Sequence, residues 1–237
     1  MIRKIYFFLL ILIIISISVY SFNKVKEFRK IQYLNDLMNF TSENLEIENI
    51  FKKGNIFILR HTNKHDLGTT AGHLQKESLF NLLPDLNKKI SCLSIVGKLE
   101  AQVIGKIFNE LNIFIDEIYS SPMCRASETA KIAFGKIDYI HDFLIYDGFF
   151  KDRDLKKKHK QFNDLFFKSL IDTNKNYLIS THSGPSKRVN LDFQIYEGGI
   201  LIYNIKLQKP ILLLQDVKSI IKFYEYYQKE RNNWGSG

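Results

Sequence analysis
Cysteine is nearly missing from this sequence. Two cysteines in 237 residues, Cys92 and Cys124, exclude a fold held by a dense disulfide framework. Four prolines and twelve glycines exclude collagen-like and proline-rich chains. Acidic residues are in the minority: 34 Lys and Arg against 25 Asp and Glu leave a net charge of +9. No zinc-finger, RNP-like or basic-zipper pattern accompanies that charge, so nucleic acid is not an expected partner. The charge is spread out, mostly as lysine, and reads first as a solvated basic surface and second as a means of steering anions. With 45% apolar and 25% charged residues the composition is globular, which excludes wholesale disorder. The length suits one domain of ordinary size or two small ones.

Long hydrophobic runs are also scarce, with one exception. Ile5 to Phe22 carries no charge and is interrupted only by Ser16, Ser18 and Ser21. As a helix, those residues would span about 27 Å, close to the thickness of a bilayer's hydrocarbon core. Residues 1–22 are therefore expected to form a hydrophobic helix, a signal-anchor or a signal peptide, with membrane contact through that helix. Residues 23–53 read as a stalk and 54–230 as the domain. Orientation stays open, because Arg3 and Lys4 precede the run while Lys24, Lys26, Arg29 and Lys30 follow it.

Within the domain, short continuous apolar runs alternate with helical spacing. Asn55–Leu59, Glu117–Ser120, Tyr177–Thr181 and Ile200–Ile205 read as strands. Residues 97–111, 125–133, 216–229 and the stretch around Phe162–Leu170 read as helices. This pattern predicts an α/β sandwich with a mainly parallel sheet. Ligands of such sheets bind beyond the carboxyl ends of the strands. Three predicted strand ends carry Arg60-His61, Ser120-Ser121 with Arg125 just beyond, and His182.

Two arginines and two histidines at one sheet edge suit phosphoryl chemistry. Arginine grips phosphate oxygens through a planar fork of donors. A neutral imidazole is a competent nucleophile toward phosphorus, and flanking guanidinium groups help keep it neutral. No metal is needed for such a transfer. His65 and His73 lie near His61 in sequence, but neither a Cys/His nor a His-Glu-x-x-His spacing supports a metal site. No cofactor is expected.

Four segments, in order, carry a family resemblance. Ile56-Phe-Ile-Leu-Arg60-His61-Thr62 resembles the Arg-His-Gly/Ala/Thr motif of the histidine phosphatase superfamily. Leu93-Ser-Ile-Val-Gly97 with Ala101-Gln102 and Gly105 is similar to its glycine-containing helix, with Ala and Gln in reversed order. Tyr119-Ser-Ser-Pro-Met-Cys-Arg125-Ala-Ser-Glu-Thr129-Ala130 matches its Ser-Ser-Pro-x-x-Arg-Ala-x-x-Thr-Ala block. Leu178-Ile-Ser-Thr-His182-Ser183 is similar to its late strand-histidine motif.

The resemblance implies a three-layer α/β/α sandwich of the phosphoglycerate mutase-like kind. It implies a metal-independent phosphatase that hydrolyses a phosphomonoester or phosphohistidine, carried by a small molecule or a phosphoprotein. His61 becomes the phosphorylated nucleophile, with Arg60, Arg125 and His182 binding the phosphoryl group. Thr62 and Ser121 fall at the substrate. The family's proton donor is a carboxylate of variable position, for which Asp147 is the first candidate and Glu197 the second. The mutase-type insertion is not recognisable, which favours a phosphatase over a mutase. A non-catalytic phosphate-binding or interaction module on the same fold is the alternative. In similar exported members cysteines recur near these two points, so a Cys92–Cys124 disulfide is also implied. That bond needs an oxidising compartment, so a domain on the extracytoplasmic side of a bacterial membrane is expected. Substrate choice is expected to reside in residues 62–94 and 136–175.

Overall fold
The computed structural model describes residues 47–64, 92–145, 153–182 and 195–234. The apolar run at 5–22, the first part of the proposed stalk, His65, His73 and Asp147 lie outside the described residues. Among the described residues, no helix is long and apolar enough to cross a membrane.

Elements follow in the order α1 (Ile47–Ile50), β1 (Asn55–Arg60), α2 (Ile95–Glu110), β2 (Glu117–Ser120), α3 (Cys124–Phe134) and β3 (Tyr139–Ile140). A short 3₁₀ turn (Asp142–Leu144) precedes α4 (Arg153–Ser169), β4 (Tyr177–Thr181), β5 (Ile200–Asn204), β6 (Lys209–Leu214) and α5 (Val217–Trp234). The strands form one six-stranded sheet in the order β3-β2-β4-β1-β5-β6.

The sheet is mixed, so the expected parallel arrangement holds for three of its five strand pairings and not for the two that β5 makes. Strands β1 to β4 run parallel, whereas β5 is antiparallel to β1 and β6 to β5. The connection between the last two strands explains why β6 runs against β5. A parallel pair needs a long crossover, while the four-residue turn between β5 and β6 is short enough only for a hairpin. The left-handed Gln208 (φ 51°) completes that turn.

Helices cover both faces. Phe57 and Leu59 of β1, Ile118 of β2 and Leu178 of β4 pack with Ile104 and Phe108 of α2, Ala130 of α3 and Ile220 of α5. Successive strand residues point to opposite faces. Tyr119, next to Ile118, accordingly meets Phe166 of α4, with ring centroids 5.0 Å apart. β1 is buried on both faces, as its unbroken apolar run predicts.

Residues just before β1 also belong to the core. Ile50 is fully buried in the core, and the Phe51 ring packs on Tyr227 at 4.6 Å. Between α2 and its neighbours, glycine lets backbones touch: a Cβ at Gly97 would lie 1.8 Å from the Asn63 carbonyl oxygen.

Candidate active site
Because β1, β2 and β4 are parallel, their carboxyl ends share one edge. The ladder continues one step past each strand: His61 N–H donates to the Thr181 carbonyl and Ser121 N–H to the Ser180 carbonyl, both at 3.0 Å. Backbone pairing alone therefore brings His61, Ser121 and His182 together. The imidazole rings of His61 and His182 meet edge to face, with centroids 5.2 Å apart. His182 Nε2 lies 3.0 Å from Ser121 Oγ. Both histidines are 2% exposed, too little for ordinary surface residues.

Helix α3 begins at this edge and carries Arg125 in its first turn, also buried. The first turn is tied to β4 by Ser180 Oγ–H donating to the Ala126 carbonyl at 2.7 Å. A helix N-terminus presents positive potential, so α3 and Arg125 favour an anion at the same place. The Cys92–Cys124 disulfide is present and fastens the start of α3 to the segment before α2.

The ring chemistry of His61 is set by its own chain. Its Nδ1 lies 2.9 Å from the Thr62 carbonyl oxygen, which can only accept. In the neutral ring Nδ1 therefore carries the proton, and Nε2 holds the lone pair. Burial, first, and the charge of Arg125, second, hold His61 well below the usual imidazole range, with Arg60 and Lys64 adding to the effect. Its hydrogen bond to Thr62 opposes them.

The other predicted residues have more particular roles. Arg60 Nη1 donates to the Ile195 carbonyl at 2.7 Å, and its Nη2 lies 3.9 Å from Glu197 Oε1. It thus keeps a charge beside His61 while its guanidinium is anchored to the segment before β5. Glu197 lies between Arg60 and Lys64, 3.9 Å from each. Thr62 is expected at the substrate, but its fully buried hydroxyl donates to the Gly97 carbonyl at 2.7 Å. Its N–H donates to Thr129 Oγ1 at 3.1 Å. Thr62 therefore ties the backbone beside His61 to α2 and α3. Gly198 closes the other side: its N–H donates to the carbonyls of Arg60 and His61, with φ at +76°.

Several supports went unread in the sequence. Thr129 Oγ–H donates to the Arg125 carbonyl at 2.7 Å; it belongs to the quoted arginine block but drew no role there. Glu100 accepts from Asn63 N–H at 2.8 Å and Glu128 from Leu93 N–H at 2.9 Å. Burial pushes the Glu100 carboxyl up. A single acidic residue on an amphipathic helix has no pattern that would reveal such a partner. Among the described residues, no group of three or more His, Cys, Asp or Glu is arranged to hold a metal ion.

No family model and no curated protein matches this chain. Solved structures do. A phosphoserine phosphatase mutant from Entamoeba histolytica in complex with phosphoserine is 18% identical, with a TM-score of 0.45 over 70% of this chain and 98% of that one. The protein histidine phosphatase SixA complexed with tungstate is 12% identical, with a TM-score of 0.45 over 67% and 93%. The alpha-ribazole phosphatase from Shigella flexneri is 16% identical, with a TM-score of 0.49 over 69% and 96%. All three of these solved structures are phosphatases.

Proposed function
We propose that the protein is a phosphatase that works through a phosphohistidine on His61. One observation carries this reading: a buried, neutral imidazole has its Nδ1 fixed on a carbonyl oxygen, beside a second imidazole and a buried arginine. In the first step a bond forms from His61 Nε2 to phosphorus as the ester P–O bond breaks, and the leaving oxygen takes the bonding pair and then a proton. In the second step a water oxygen bonds phosphorus, the P–N bond breaks, and inorganic phosphate departs. Arg125, His182 and the start of α3 stabilise the charge on the equatorial oxygens. Arg60 contributes its charge from its anchored position.

Asp147 remains the proposed proton donor for alkoxide leaving groups. Glu197, ion-paired with Arg60 and Lys64, suits a role in holding Arg60. A phosphoramidate such as phosphohistidine makes the smallest demand on a donor. The substrate proposed is therefore a small phosphomonoester or a phosphohistidine. The test is turnover of an aryl phosphate without added metal, with trapping of an acid-labile phosphoenzyme. Wild-type protein should form it and His61→Ala should not. Phosphate binding without trapping would favour the non-catalytic module instead.

We also propose that the chain is anchored by residues 5–22, with its domain in an extracytoplasmic, oxidising compartment. The uncharged run and the disulfide support this. Carbonate extraction of membranes and thiol counting in native material test it; a readily released chain with two free thiols would refute it.

A further inference from the structure
Helix α4 stands apart from the rest of the surface. It carries Arg153 and five lysines against Asp154 and Asp164, and all six basic residues are exposed. Its inward side is accounted for. Phe166 packs on Tyr119, and the buried Asn163 side chain donates to the Phe143 carbonyl. The outward side is not. Lys158, Phe162, Leu165 and Ser169 recur at steps of four, three and four residues, which places them on one face. Phe162 is 59% exposed and Leu165 63%, and Ile171, just past the helix, is 72% exposed. Lys157 and Lys168 lie together along one edge of this apolar strip.

We propose that this face of α4 docks on an anionic lipid bilayer. The occupant follows from charge and size. A second copy would bring the same basic helix against itself and be repelled. Three apolar side chains fall far short of the roughly 800 Å² per partner that a stable protein interface buries. A bilayer surface requires no such shape match. Phe162 and Leu165 enter the boundary between headgroups and acyl chains, while the lysine stems lie along it and their ammonium groups meet lipid phosphates. This docking is independent of the phosphatase reading.

The test uses the full chain with Leu165→Cys labelled by an environment-sensitive fluorophore, the native cysteines being bonded to each other. The chain is reconstituted into vesicles of phosphatidylcholine alone or mixed with phosphatidylglycerol. Residues 5–22 enter both kinds of vesicle, so only the difference between them reads α4. Blue-shifted emission that spin-labelled lipid quenches is expected in the anionic vesicles alone. High salt or the combined K157E/K158E/K168E change should abolish it, with the urea midpoint of the chain retained. A label on exposed Lys218 of α5, introduced as K218C, should not respond. Emission that is the same in both lipids overturns the proposal. A blue shift that grows with protein concentration and ignores lipid charge assigns the face to a second copy and overturns it as well.

Discussion

The two ends of the same sheet are both buried and polar, yet they are built from different chemistry. At the amino end, Asn55 Nδ2 donates to the carbonyls of Asn49 and Lys52 at 2.7 and 2.9 Å. Asn204 Nδ2 donates to Asn55 Oδ1 at 2.9 Å, and Asn55 N–H to Asn176 Oδ1 at 3.1 Å. Neutral amides close on neutral amides. At the carboxyl end, two imidazoles and a guanidinium are buried together beside a helix N-terminus. Burial of polar groups is thus no mark of a site. The mark is burial of titratable groups whose neighbours share their charge, which costs stability and is retained where chemistry needs it.

That contrast can be broken by substitution. His61→Ala should lower turnover by about a thousandfold or more while the chain stays folded. Asn55→Ala should do the reverse. It strands two carbonyls and the Asn204 amide, so stability should fall by about 1–3 kcal/mol in urea titrations, with turnover per folded molecule unchanged. A variant at the amino end that cut turnover without loss of stability would erase the distinction.

Arg125→Lys comes next in size. Lysine keeps the charge but loses the planar fork, and kcat/KM should drop by about 10²-fold. Full activity in this variant would remove Arg125 from the phosphoryl site. Replacing both Cys92 and Cys124 by alanine tests the same element from outside. Loss of the cross-link should cost about 2–4 kcal/mol of unfolding free energy in urea titrations and also reduce turnover, because α3 then starts without its tether.

Much of the carboxyl end was legible in the sequence, and the reason is topological. Parallel strands written as short apolar runs bring the residues after them to one edge, so His61, Ser121, Arg125 and His182 could be grouped without coordinates. Glu117–Ser120 and Tyr177–Thr181 have the expected bounds. Strand β6 was missed because Pro210 lies inside its apolar run, and proline argues against a strand. Here β6 is the edge strand, and the register shifts beside Pro210's partner Tyr203. The first two turns of α4 are lysine-rich, so apolar spacing around Phe162–Leu170 revealed only the second half of the helix. The pairing of Arg60 with Glu197 depends on the antiparallel entry of β5, which the strand pattern did not predict.

The smallest effect separates the two ends by pH. His61 is held below the ordinary imidazole value of 6.5 in the folded chain and returns to it on unfolding. Above pH 6.5 both forms are neutral, and His61 adds no pH dependence. As pH falls below that value, the unfolded chain takes up a proton that the folded chain refuses. Stability then declines by at most about 1.4 kcal/mol per pH unit, until the depressed folded pKa is reached. His61→Gln should flatten this slope, whereas Asn55→Ala, which removes only a neutral amide, should shift the whole curve without changing its shape. The same depression keeps His61 unprotonated, so turnover in the wild-type chain should persist below pH 6.5. A pH-rate profile that fell away at the free imidazole value would show that the pocket admits water to His61 and would undo the contrast between the two ends.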